Sequence, residues 1–186
     1  ELAMRLVAML SSVAGTAAII ALSRRLSGDW MLALLAGVLW AVNPFLIYHA
    51  QDARNFSTAT LFATLAVYWF WRAMVHDDAE RSLRSWLPYI LVQTLGVYVY
   101  FFELITVAIL GVFWLLTLRH RPGLWRTGVY VWTVIALLLV PIALQFYSVI
   151  FVSNYEGTAT TTDLARLFEN FIPTLWFGEN TVSPLL

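Results

Sequence analysis

The chain contains no cysteine and no lysine, and only 12% of its 186 residues are charged. Without cysteine there is no disulfide, no thioether-linked haem and no thiolate metal site, and the redox compartment is left open. Without lysine, and with eleven arginines balanced by eleven acidic residues, there is no basic patch of the kind that follows a phosphate backbone, so nucleic acid is not an expected partner. Charge at 12% is about half of the ~25% typical of soluble domains. Apolar residues make up 61% of the chain and the mean hydropathy is +0.76. A water-facing surface cannot be built from this composition. The expectation is an integral membrane protein, all-α, because helices satisfy their own backbone hydrogen bonds in lipid.

A membrane span needs roughly twenty apolar residues, set by ~30 Å of hydrocarbon and a rise of ~1.5 Å per residue. Five regions qualify: 6–22, 30–48, 55–75, 86–118 and 125–152. The first places Ser11 with Gly15, and Ala14 with Ala18, four apart, a spacing that permits close helix contact. The second carries Pro44 near its end and the last is interrupted by Pro141. Region 86–118 has 33 residues and would extend about 50 Å as one helix. It is expected to fold back on itself within 96–103, where Glu103 is its only charge. The result is a polytopic transmembrane bundle with about six crossings.

Arginine placement tests this count, because cytoplasmic loops are enriched in basic residues. Six crossings put Arg24, Arg25, Arg72, Arg81, Arg84, Arg119, Arg121 and Arg126 on one side and Arg5, Arg54 and Arg166 on the other, eight against three. A single crossing at 86–118 would make it six against five, so the bias favours the folded-back reading. The outer side then receives the turns at 49–55 and 98–103 and the tail from 153. That tail begins polar and then shows Leu164, Leu167, Phe168, Phe171, Ile172 and Leu175 at helical spacing. It is too short to span, and suits an amphipathic helix lying at the outer interface. The organisation is therefore a bundle over 1–152 and an outer-face loop with an interfacial helix over 153–186. The chain opens on Glu1, its first apolar run lacks a signal-peptide pattern, and its last residues are apolar after a loop. A piece of a longer protein is expected.

The informative stretch is Asn43-Pro44-Phe45-Leu46-Ile47-Tyr48-His49-Ala50-Gln51-Asp52-Ala53-Arg54-Asn55-Phe56-Ser57. It places polar and charged groups where one span ends and the next begins. Charges squeezed between spans are costly unless they pair, meet water or bind something. Two readings follow: Asp52 and Arg54 serve an external ligand, or they cap helix ends at the water interface. On a helical turn, residues two apart point away from each other, so Asp52 and Arg54 would not pair directly.

This stretch resembles the membrane glycosyltransferases of the GT-C class, especially the bacterial branch near the protein mannosyltransferases and the lipid A aminoarabinose transferases. The likeness includes 5–28, with an Arg, small residues and a basic pair before Gly28. It continues in 44–56, with a proline, aromatics and the run Gln51-Asp52-Ala53-Arg54 before Phe56. It also covers 95–103, where the family often has a histidine and this chain offers Tyr98, Tyr100 and Glu103. The resemblance implies an inverting transfer of sugar from a polyprenyl phosphate to an outer-face lipid, glycan or protein, in a bacterial inner membrane. It implies that Asp52 is the catalytic carboxylate, near the donor phosphate or a divalent metal (Mg or Mn), and that Arg54 and Gln51 bind the donor phosphate. His49, Tyr100 and Glu103 are candidates to face substrate; by position Glu103 reads equally as the polar tip of a hairpin, and His49 reads better as an interfacial partner than as a ligand. The family's main catalytic acid lies in an outer loop upstream of the helix that begins near Arg5. That loop is outside this sequence, so the piece by itself is expected to be inactive.

A second reading is a non-catalytic structural subunit whose helices pack against membrane protein partners. A transporter ranks third, because no intramembrane charge pair or repeated broken helix is evident. His76, Asp77, Asp78 and Glu80 resemble metal ligands, but they share a loop with Arg81 and Arg84, and a solvated charged loop accounts for them. Asn55-Phe56-Ser57 fits a glycosylation acceptor only formally, being too close to the membrane.

Overall fold

The computed structural model describes residues 2–51, 55–75 and 83–148. Among these the regular elements are all helical. They are α1 (Leu2–Ser27), α2 (Trp30–Ala41), α3 (Pro44–Gln51), α4 (Phe56–Val75), α5 (Leu87–Val99), α6 (Leu104–Thr117) and α7 (Leu124–Tyr147), with short 3-10 turns at Leu83–Ser85 and Phe101–Glu103. The expected interfacial helix, and with it the division at 152, lies outside the described residues.

Helix α1 stops at Gly28, whose φ of 73° is a left-handed conformation open to glycine at little steric cost. The Gly28 N–H donates to the Arg24 carbonyl at 2.8 Å. Asp29 then opens α2 by accepting the Met31 N–H at 2.8 Å, an N-cap that satisfies a donor the helix leaves unpaired. The tight reversal lays α2 back along α1. Small residues let the two approach: a Cβ on Gly37 would overlap the Ile20 side chain, and one on Gly15 would lie 3.7 Å from the Trp40 indole.

The chain bends by 60° between α2 and α3. Pro44 has no N–H to continue the ladder, and the Asn43 side chain restarts it by accepting the Leu46 N–H at 3.2 Å. Helix α4 returns along α1, beginning where the Ser11 and Thr58 hydroxyls meet at 3.0 Å.

Region 86–118 folds back, as its length demands. The Phe70 ring of α4 lies 5.7 Å from the Trp86 ring and 6.1 Å from the Phe113 ring. One continuous helix would separate Trp86 from Phe113 by about 40 Å. The break falls at Tyr100, which adopts an extended conformation (φ −153°, ψ 112°) between α5 and the Phe101–Glu103 turn. Helix α7 closes the aromatic core, with Trp132 lying 6.0 Å from Tyr89 and Trp125 stacked at 6.1 Å on Trp114. Gly128 sits so close under Trp114 that a Cβ there would overlap the indole. Phe70, Trp86, Tyr89, Leu124, Val131 and Ile135 are almost wholly enclosed.

The outside is as apolar as the inside. Leu10, Val13, Met31 and Leu39 are all at least 60% exposed, a surface suited to lipid and not to water. The helices Arg5–Ser27 and Leu124–Gln145 are long and apolar enough to cross a membrane, and the bent pair Trp30–Ala41 with Pro44–Ala50 makes a third if it is one span. Helices α5 and α6, at 13 and 14 residues, reach only about 20 Å each. They form the two short legs of a hairpin inside the bundle. The protein is an all-helical membrane protein.

The helices alternate in direction between two ends. At one end the Arg121 guanidinium donates to the Met74 carbonyl at 2.8 Å, tying the α6–α7 loop to the end of α4. Arg24, Arg25, Arg72 and Arg84 fall at this end. At the other end lie the α2–α3 bend, Asn55 and Tyr100.

Candidate functional site

The short helix α3 turns one side of its last turn inward. His49 is only 5% exposed, and its ring lies 4.3 Å from that of Phe45 and 4.6 Å from that of Phe56. The Ser57 hydroxyl donates to the His49 carbonyl at 2.9 Å, which holds the start of α4 beneath the end of α3. Gln51 closes α3. Asp52 and Arg54, the expected catalytic carboxylate and phosphate-binding guanidinium, lie outside the described residues. The described residues on either side of them include anchors to neighbouring elements.

Asn55 is one of those anchors, its side-chain amide donating to the Val99 carbonyl at 2.6 Å. Next to it the Phe56 ring meets the Tyr100 ring edge-on at 5.2 Å. Phe56 therefore bridges His49 and Tyr100, and the turn expected to carry the chemistry is joined to the α5–α6 turn. A cavity of about 280 Å³ opens beside this junction, lined by Asn55, Tyr98, Tyr100, Phe101, Ile142 and Gln145. The Tyr98 hydroxyl donates to the Leu138 carbonyl of α7 at 2.9 Å, closing its wall.

Glu103 sits at the same end but faces inward. It is 5% exposed, and its Cγ lies 3.5 Å from where a Cβ on Gly96 would stand. Its N–H donates to the Tyr100 carbonyl at 2.9 Å, and its Oε2 has no hydrogen-bond partner. Burial pushes the Glu103 carboxyl above the ordinary carboxylate range, against a smaller opposite pull from a hydrogen bond with Thr106. Burial also raises the Tyr100 phenol. An enclosed carboxyl of this kind is favoured in its neutral form.

The structure thus gathers His49, Tyr100 and Glu103 around one junction. Tyr100 has its edge on the cavity, while His49 and Glu103 lie beneath it. Among the described residues no three His, Asp or Glu side chains gather as a metal would need, and Asp52 falls outside them. In the sequence Asn55 and Phe56 belong to the signature stretch without a role in the site of their own, and nothing singles out Gln145. Asn55 was weighed only as a glycosylation acceptor, although its amide is engaged with Val99. For the third the available signal is a polar side chain, exposed near the C-terminal end of the apolar helix α7.

The family model described as dolichyl-phosphate-mannose-protein mannosyltransferase matches residues 1–146, from α1 almost to the end of α7. No curated protein and no solved structure matches the chain.

Proposed function

This chain belongs to the dolichyl-phosphate-mannose-protein mannosyltransferase family, membrane glycosyltransferases of the GT-C type, and from that premise we propose that it forms the core of an enzyme moving a sugar from a polyprenyl-phosphate donor to an outer-face acceptor. The observation that carries the site assignment is the junction of two turns. Asn55 is bonded to Val99 and Phe56 lies against Tyr100, beside a cavity with aromatic walls.

The chemistry needs two things of such a site. The acceptor hydroxyl attacks the anomeric carbon of the sugar, the bond from that carbon to the phosphate oxygen breaks, and polyprenyl phosphate leaves with the electron pair. Charge developing on the leaving phosphate must be neutralised, a role assigned to Arg54 with Gln51. The acceptor proton must be taken up, and Asp52 is the carboxylate assigned to receive it or to orient the acceptor. Tyr100 offers a ring face and a hydroxyl to the sugar. His49 and Glu103 act from below, His49 by holding Phe56 and Glu103 by supporting the Tyr100 turn. A divalent metal, if one takes part, would be held through Asp52. The end bearing Asn55 is assigned to the outer face of a bacterial inner membrane, the apolar exterior to membrane lipid, and any protein partner to that same exterior.

The test uses the full-length chain in detergent with polyprenyl-phosphate mannose as donor probe. Asp52→Asn and Arg54→Ala are each expected to lower transfer about a hundredfold, since a lost contact to a reacting phosphate costs about 2 to 4 kcal/mol of barrier. Wild-type rates in both variants would overturn the site assignment, and an inactive but stable wild-type chain would favour the structural-subunit reading.

A further inference from the structure

At the end of the bundle opposite Asn55, a cleft of about 750 Å³ opens between α1, the α1–α2 turn and the last two turns of α4. Arg24 and Arg25 stand on one wall, Tyr68 and Trp71 on the other, and Trp30 at the turn. The turn that builds it is tightly specified. Gly28, with its φ of 73°, reverses the chain within two residues, so that Trp30 folds back and its ring centroid lies 4.0 Å from the Arg24 guanidinium carbon. A guanidinium over an indole face is held without being neutralised. Asp29, the acid nearest in sequence, is engaged in capping α2 through the Met31 N–H and is not among the lining residues.

Among the described residues the cleft therefore presents two guanidiniums and no carboxylate. Among the described residues neither Arg24 nor Arg25 makes an ion pair. Deeper in, the walls become aliphatic, with Ala17, Ile20 and Ala21 of α1. The neighbouring surface of α2 is that of a lipid-facing helix, with Leu34, Leu35 and Val38 at least 50% exposed. An anion is favoured by the charge, and an amphiphile by the apolar depth. Basic pockets between membrane helices take acidic lipid headgroups for this reason. Aromatic rings at the rim suit the headgroup level of a bilayer.

We infer that this cleft binds an anionic phospholipid, with its phosphate on Arg24 and Arg25 and its acyl chains running along the apolar wall of α1. The site is separate from the transfer reaction and does not depend on it.

Native mass spectrometry of the purified full-length chain, titrated with phosphatidylglycerol or phosphatidylcholine, tests the inference. Phosphatidylglycerol is expected to be retained in preference, and the double variant Arg24→Gln/Arg25→Gln to lose about thirtyfold of that retention, from about 1 kcal/mol per arginine. Arg126→Gln, at the same end but outside the cleft, is expected to change nothing. Ala21→Leu fills the apolar wall while keeping both charges, and is expected to weaken retention even if the arginine variant fails to fold. Four outcomes overturn the inference: equal retention of the two lipids, undiminished retention in the double arginine variant, undiminished retention in Ala21→Leu, or an equal loss in Arg126→Gln. Displacement of the lipid by excess inorganic phosphate would also overturn it, since the cleft would then be a small-anion site.

Discussion

The Asn55 side-chain amide reaches across the bundle end to donate a 2.6 Å hydrogen bond to the carbonyl of Val99, 44 positions later in the chain. That carbonyl belongs to the last residue of α5, where the helix ladder runs out and a partner must come from elsewhere. One side chain thus satisfies a helix end and ties the start of α4 to the turn that carries Tyr100.

Asn55→Ala removes this tie. Loss of a single hydrogen bond is expected to lower stability by about 0.5 to 1.5 kcal/mol, read as a lower thermal midpoint in detergent. Sugar transfer is expected to fall by more than that loss explains, because Asn55, next in sequence to Arg54, is no longer tied to the end of α5. Transfer that tracked stability alone would separate Asn55 from the site.

Glu103 makes stability depend on pH in a definite direction. Its carboxyl is raised by burial, so the folded state holds the proton more tightly than the unfolded state. Stability is then full below the unfolded value near 4.5 and is lost as pH rises through the higher folded value. Glu103→Gln keeps the shape without the ionisation, and is expected to flatten this slope and to equal or exceed wild-type stability at neutral pH. Thermal midpoints measured across the acid range check it; a wild-type slope rising with pH there would contradict the burial argument.

Two glycines resist substitution for different reasons. Gly37→Val forces a side chain into Ile20, and overpacking of this kind costs about 1 to 3 kcal/mol. Gly28 has open space around it but a positive φ, so Gly28→Ala is expected to cost about 1 to 2 kcal/mol through backbone strain alone. Relieving the contact with Ile20→Ala is expected to rescue the first variant and not the second, measured by chemical or thermal unfolding.

The absence of native cysteine makes sidedness simple to measure. Phe101→Cys and Leu83→Cys, at exposed positions on opposite ends of the bundle, are expected to react with an impermeant thiol reagent from opposite sides of the membrane, Phe101→Cys from outside. Labelling of both from one side would overturn the topology.

Much was settled by the sequence alone, because the quantities that decide it are local or additive. Apolar fraction and run length dictate a helical membrane protein, and a 33-residue region too long for one span had to fold back. The tertiary structure decided what depends on distances between remote segments. It enclosed His49 and Glu103, two candidates to face substrate, by packing Phe45 and Phe56 around one and Gly96 and Phe62 beside the other. It paired Asn55 with Val99. It also set Arg24 and Arg25, which counted in the sequence only as markers of membrane side, against the aromatic residues of α4 to form a cleft. Burial and pairing are properties of the neighbours a fold assembles, and no window along the chain contains those neighbours.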